Sequence, residues 1–429
     1  MLIILGVSFG VLLLLGFPFA FAIGISATLA LLYEPTLPMV IIPQRMFVQI
    51  DSFPLMAIPF YILAGEIMDR GGISLRLVNF ANSLVGHIRG GLGMAAITAS
   101  TIFAGMTGSS AADASATGSI SIPAMIRKGY PKGLAAAIES AAASVGPIIP
   151  PSSLMIIYGA ITGVSTGKMF TGGFIPGIMI STGSMVITYI YAKKLGLGGI
   201  KHESKWAAIK NFLKALREAS WALFTPAIII GGIITGIFTP TEAGVVAVVY
   251  ALLVSLFIYR TITLKDLKPI MLKSAITTCM VTLIVAFAGV FGWLLSYLEL
   301  PQIVAKFLSS VTSNATLLLI IIILFLLLVG CFVEVVAAAI ILIPVLFPLG
   351  EIFHYNEIHY ALIIVITLAM GCITPPVGIL LFITTSIART TLTDVSRYIW
   401  PFVVIISFVI FVLAFFPILV TFLPDLFWH

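Results

Sequence analysis

Charge is what this chain has least of. Only 9% of its 429 residues are Asp, Glu, Lys or Arg, against 60% apolar. A soluble protein carries roughly a quarter charged residues, so this composition excludes a water-exposed globular fold and implies an integral membrane protein. The first charged side chain is Glu34 and the first basic one Arg45. A secretory leader needs a basic start and a small-residue cleavage site, and neither is present, so the N-terminus is expected to stay in the membrane. Cysteine is scarce as well. Cys279, Cys331 and Cys372 lack paired metal-type spacing and read as small apolar fillers. His87, His202, His354, His359 and His429 fall in expected loops or at the end. The chain has no Walker-type phosphate loop, no Ser-His-Asp or Cys-His arrangement, and Asp113 as the sole aspartate within an expected span. Membrane ATPase, metalloprotease and intramembrane aspartyl protease readings therefore lack their parts. The net charge of +6 sits in short loops between apolar spans, where the positive-inside rule accounts for it without nucleic acid.

What the chain does have is long apolar runs with matched interruptions. Gly146-Pro-Ile-Ile-Pro-Pro-Ser-Ser-Leu-Met155 returns as Gly371-Cys-Ile-Thr-Pro-Pro-Val-Gly-Ile-Leu380. Proline removes a backbone donor and glycine admits unusual dihedrals, so each run is expected to be a helix broken at mid-membrane. Two such spans in corresponding halves are the best sequence pointer to a transporter's binding site. Residues 1–33 would run about 50 Å as one helix, too long for a hydrocarbon core of about 30 Å, and Gly16-Phe17-Pro18 is the expected break.

The remaining path follows the charges. Residues 1–91 are read as scaffold spans, with loops at 34–52 and 69–91. The stretch 92–124 lies between two basic loops and is short for two spans, so it suits a re-entrant hairpin. The broken span 134–160 and a span at 172–192 complete a transport unit, 92–192. Residues 193–220 carry Trp206, Ile209, Phe212, Leu213 and Leu216 at helical spacing among Lys205, Lys210, Lys214 and Arg217, an amphipathic arm on the inner surface. The second half repeats the order: scaffold at 221–314 with an outer loop at 297–314, then a transport unit at 315–429. The latter holds a hairpin at 315–348, a broken span at 360–386 and a last span at 398–423. On this path every Lys and Arg except Arg45, Lys168 and Lys306 lies inside, and both termini lie outside. The loop 125–133 is basic whereas its counterpart 349–359 is acidic, so the two halves face opposite ways. The fold class is an all-α polytopic membrane protein, an inverted-repeat transporter with two re-entrant hairpins and two discontinuous helices.

The chemistry concentrates at the hairpins. Gly105-Met-Thr-Gly-Ser-Ser-Ala-Ala-Asp113-Ala-Ser-Ala-Thr-Gly-Ser119 is a polar, small-residue run inside an apolar segment. Irregular backbone at membrane depth is tolerated only where it is buried in protein or lines a cavity. Carbonyls and hydroxyls at Thr107, Gly108, Ser109 and Ser110 suit a hard cation such as Na+, and helix N-terminal N–H groups suit a carboxylate. Close packing through small residues accounts for Ala111, Ala112, Ala114 and Ala116. The matching element is Gly330-Cys-Phe-Val-Glu334, and Asp113 and Glu334 each precede a proline (Pro123, Pro344) by the same interval. These two carboxylates are expected to be equivalent, either supporting a cation or capping a helix. Glu139 and Glu242 are the other acids within spans, and Glu242 after Thr239-Pro-Thr241 reads as a cap. Thr384 and Arg389, with Ser109, Ser110, Ser152 and Ser153, are candidates for holding an organic anion. Positive-inside topology also explains Arg389 without a ligand.

Ala64-Gly-Glu-Ile-Met68, Gly108-Ser-Ser-Ala-Ala-Asp113, Gly146-Pro-Ile-Ile-Pro-Pro-Ser152 and Gly236-Ile-Phe-Thr-Pro-Thr-Glu-Ala243 together resemble the large membrane subunit of the tripartite ATP-independent periplasmic (TRAP) transporters, the DctM type. The resemblance covers essentially the whole chain, in order. It implies a transporter rather than an enzyme, without a cofactor, importing a small organic acid such as sialic acid, another sugar acid or a C4-dicarboxylate by Na+ symport and an elevator mechanism. It also implies two partners in the bacterial inner membrane and periplasm: a small four-helix membrane subunit, here expected to be a separate protein, and a soluble substrate-binding protein. Carried onto this chain, the Na+ sites fall at Thr107–Ser110 with Gly146 and Pro150, and at Gly330–Val333 with Gly371 and Thr374. Proton coupling and a passive anion channel are the alternatives.

Overall fold

The computed structural model describes residues 1–199, 204–312 and 314–428; His202 and His429 lie outside them. The chain is helical throughout its described length. α1 (Leu2–Leu14) and α2 (Phe19–Leu32) are separated at Gly16-Phe17-Pro18, where Gly16 takes a positive φ. α3 (Ile41–Ile50) then bends by 65° into the segment containing α4 (Ala57–Arg70), which is followed by α5 (Ile73–Val85). Next come α6 (Gly91–Thr107), α7 (Ser110–Ala116) and α8 (Gly118–Arg127), then α9 (Lys132–Ala143) and α10 (Ser153–Thr162). α11 (Thr166–Gly172) leads into α12 (Phe174–Lys194). In the second half α13 (Lys205–Ile234), α14 (Pro240–Leu253), α15 (Leu264–Tyr297) and α16 (Leu300–Val311) precede α17 (Ala315–Gly330) and α18 (Val335–Ile352). α19 (Glu357–Gly371), α20 (Ile379–Ala388), α21 (Leu392–Phe415) and α22 (Ile418–Phe427) close the chain.

Six helices among the described residues are long and apolar enough to cross a membrane alone, or eight if each sharply bent pair counts as one span. The shorter apolar helices are mostly halves of interrupted runs, and their ends are set by local chemistry. Ser109, Ser152 and Glu334 cap the helices that restart after α6, α9 and α17, each accepting from a first-turn backbone N–H. Thr239 and Glu242 form a reciprocal capping box at the start of α14, so Glu242 is a cap.

Three expected loops contain helices: α3 within 34–52, α5 within 69–91 and α16 within 297–314. Charges suggested loops there, yet each helix has an apolar face; in α5, Ile73, Leu77 and Phe80 are buried. Residues 205–220 of the arm form the first half of α13, which runs on without interruption through Pro226. Its Trp206, Ile209 and Leu213 are exposed, while Phe212 packs on Phe80 with ring centroids 6.0 Å apart. His359 lies not in a loop but in α19, buried, with Nε2 2.9 Å from the Leu413 carbonyl.

The core is built around the leading halves of the two broken spans. Every residue of α9 from Gly133 to Ala143 is buried, and so is every residue of α19 from Ile358 to Gly371. A helix apolar on all sides could equally face lipid, so it is this burial that shows both to be surrounded by protein. α9 packs against α6, α20 and α21, and α19 against α17, α18 and α21. The matched sequence elements are therefore the centre of the molecule.

Candidate functional site

The first hairpin tip sits directly on the first break. α6 ends at Thr107 and Gly108 turns the chain with φ 62°, a left-handed value that favours glycine. Ser109 is extended and caps α7. Thr107 Oγ1 donates to Asp113 Oδ1 at 2.7 Å, with both residues buried. The other carboxylate oxygen, Asp113 Oδ2, is buried and has no hydrogen-bond partner among the described residues.

Across from it lies Gly146. A Cβ there would stand 2.8 Å from Ser110 N and 3.0 Å from Asp113 Oδ2, so the missing side chain is what lets the two segments meet. The break continues through a cis Pro150-Pro151 bond to Ser152, whose hydroxyl donates to Pro147 O at 2.6 Å. Ser153 N donates to Gly108 O at 3.4 Å, and Pro150 O faces Gly105. Thr107, Gly108, Ser109, Ser110, Gly146, Pro150, Ser152 and Ser153 are thus one locus. It pairs an unsatisfied carboxylate oxygen with hydroxyls and irregular backbone, a donor set that fits a hard cation.

The second junction has the same plan and a different filling. Gly330 and Gly371 pack backbone to backbone, and a Cβ on Gly330 would lie 2.8 Å from Gly371 Cα. Val333 is half-buried just before α18, and Thr374 Oγ1 donates to Met370 O at 3.2 Å. A cis Pro375-Pro376 bond follows, and α20 starts at Gly378 without a side-chain cap. The two junctions adjoin, because Cys372 stands beside Ser110 and the backbone of Val335, and α7 packs on α20.

Three sequence expectations need correction or relocation. Asp113 and Glu334 are not equivalent: Glu334 is an exposed cap accepting from Ala337 N at 2.8 Å, whereas Asp113 is buried in the first turn of a helix that Ser109 caps. Equal spacing to a proline does not fix equal roles when the turns differ in length. Thr384 is buried and shares a 2.7 Å hydrogen bond with Ser140, tying α20 to α9 away from the tips. Arg389 is exposed at the far end of α20, roughly 15 Å of helix from the break, with its carbonyl accepting from Lys132 Nζ.

The sequence marked Glu139 as an acid within a span but gave it no role. Its carboxylate is fully buried and accepts from Thr117 at 2.5 Å, from Ser100 at 3.3 Å and from Ser121. The signal was an acid inside an alanine-rich buried helix. On another side of the tip, Lys273 of α15 pairs with Glu66 of α4 at 2.6 Å, beside a cavity of about 250 Å³ that Thr107 and Ser109 also line.

Two hairpins set against two broken spans in a polytopic helical protein have the architecture of a membrane solute transporter. The chain belongs to a named family of that class: the model of the tripartite ATP-independent periplasmic transporter, DctM component, matches residues 6–419. It is 36% identical over 409 residues to an isethionate TRAP transporter permease protein of Oleidesulfovibrio alaskensis, covering 95% of this chain and 64% of that longer relative. It is 36% identical over 416 residues to a sialic acid TRAP transporter large permease of Vibrio cholerae, covering 97% of this chain and 96% of the relative. A solved structure, the YdaH transporter of Alcanivorax borkumensis, shares the fold with a TM-score of 0.57 at 14% identity, over 84% of each chain.

Proposed function

We propose that this chain is the permease subunit of a Na+-coupled importer of organic acids in a bacterial inner membrane. It works with a small four-helix membrane subunit and a periplasmic binding protein that delivers the acid. Relatives named for sialic acid and isethionate support an organic anion as cargo. The observation that carries the reading is Asp113 Oδ2, buried and unpartnered where the hairpin tip meets Gly146. A buried charge without a partner is strongly disfavoured, and an incoming Na+ would relieve it.

In this reading Na+ is co-substrate at Thr107–Ser110 with Gly146 and Pro150, and at Gly330–Val333 with Gly371 and Thr374. Cation occupancy would order both tips and favour the organic anion among Ser109, Ser110, Ser152 and Ser153. The hairpins and broken spans would then slide as a unit against α1–α5 and α13–α16, with both termini on the periplasmic side. The test is reconstitution with both partners, measuring uptake of labelled sialic acid, C4-dicarboxylate and isethionate. Uptake that needs an inward Na+ gradient supports the reading. Uptake driven by a proton gradient alone would move the coupling role to the carboxylates, and uncoupled flux would indicate a channel.

A further inference from the structure

A cavity of about 240 Å³ lies where α3 and α15 face α10 and α18, and its one charged lining residue is Arg45. Arg45 is one of three basic residues on the side that the loop charges make outer, so positive-inside topology does not account for it. Its guanidinium carbon stands 5.1 Å from the centroid of the Trp293 ring. Among the described residues it forms no ion pair. Stacking uses the face of a guanidinium and leaves its edge donors free, the geometry that takes a carboxylate or sulfonate bidentately.

Missing side chains let α3 and α18 pack closely on α15 beside the cavity. Gly289, Gly292 and Ser296 share one face of α15. A Cβ at Gly292 would stand 3.2 Å from Pro344 of the second hairpin, and one at Gly289 would stand 3.1 Å from Arg45 O. The cavity therefore spans the seam between scaffold and hairpin, and among the described residues no acid lines it to repel an anion or to satisfy Arg45. Gln49 adds a neutral hydrogen-bonding group. The volume falls just below the usual range for drug-sized ligands, about 300–1,000 Å³, which suits a compact organic anion.

We infer that Arg45, stacked on Trp293, is the outer capture residue for the anionic group of the transported acid, holding it at the seam before the hairpins take it. This rests on the uptake function proposed above and adds a step and a residue to it. The step is non-covalent, and Arg45 is a binding residue separate from the Na+ loci.

The experiment uses the reconstituted three-component system and labelled C4-dicarboxylate, isethionate and sialic acid as separate arms. For whichever acid the wild type imports, Arg45→Gln is expected to raise KM roughly tenfold or more while the Na+ dependence stays as in wild type. Arg45→Lys should recover only part of the loss, because it keeps the charge and loses the planar fork. Binding-protein docking to the same vesicles is measured in parallel. An unchanged KM in Arg45→Gln overturns the inference, as does a docking loss that accounts for the whole KM change. Wild-type vesicles that import none of the acids sink the functional reading instead. Should Arg45→Gln fail to fold, tryptophan quenching of the wild type by the imported acid, absent in Trp293→Phe, supplies the direct readout; quenching equal in both proteins overturns the inference.

Discussion

Gly146 shows how much one absent side chain can decide. Its Cβ position is bounded by Ser110 N at 2.8 Å and Asp113 Oδ2 at 3.0 Å, so Gly146→Ala would push the tip off the break. The expected result is a roughly tenfold rise in the Na+ concentration giving half-maximal uptake, equivalent to about 1.4 kcal/mol. Gly231→Ala is the control, since nothing lies within 4 Å of its Cβ; an equal change there would undo the assignment. Glu139 makes the opposite case, a side chain whose removal strands a neighbour. Glu139→Ala leaves the Ser121 hydroxyl buried without its acceptor and should lower stability by about 2 kcal/mol, while Thr117 keeps the Asp113 carbonyl and Ser100 keeps the Thr117 hydroxyl. Glu139→Gln, which keeps one acceptor oxygen, should lose less. Thermal unfolding in detergent orders the two variants, and an alanine variant as stable as wild type would show that the cluster contributes nothing. The acid itself was visible in the sequence, but its partners stand 39, 22 and 18 positions away, and no local pattern connects them.

At the scale of elements, legibility followed the chemistry of interruption. Gly and Pro act on their own backbone, so both breaks and the N-terminal break at Gly16 could be read directly. Helices α3, α5 and α16 were missed because charge density was taken for loop, although amphipathic helices at a membrane surface carry both. How the elements join was not legible. Ser140 and Thr384 are 244 positions apart, yet they share a buried 2.7 Å hydrogen bond between the two broken spans. One hydroxyl donates across and the other to a carbonyl of its own helix, Ala136 for Ser140 or Leu380 for Thr384, so truncating either leaves the survivor a carbonyl to bond. A double-mutant cycle on Ser140→Ala and Thr384→Ala should return a coupling energy of about 0.6 kcal/mol, the usual size for interhelical hydrogen bonds in membranes. Coupling indistinguishable from zero would mean that apolar packing alone holds α9 to α20.

For the whole molecule, the question is whether the hairpins and broken spans move as one body. Both junctions touch, through Cys372 beside Ser110 and through α7 on α20, so the two hairpins cannot easily move apart. The seam of the second hairpin with α15 is lined by Gly289 and Gly292 and holds a cavity, a surface better suited to sliding than to interlocking side chains. A covalent bond across one seam tests this. The Cβ position of Gly292 on α15 lies 3.5 Å from Pro344 Cβ on α18, within the span of a disulfide. With Cys279, Cys331 and Cys372 replaced, Gly292→Cys combined with Pro344→Cys should cross-link on oxidation. If the second hairpin slides against α15 in each transport cycle, oxidised vesicles will lose the uptake that the same double variant shows when reduced. Oxidation will change neither single variant, whatever basal rate a cysteine in the cavity wall leaves it. The extent of cross-linking is read separately, from the mass of the fragment that a protease releases between α15 and α18. Fully cross-linked protein that still imports at the uncross-linked rate would fix the hairpin to the scaffold during transport, and the motion would have to be sought in the tips alone.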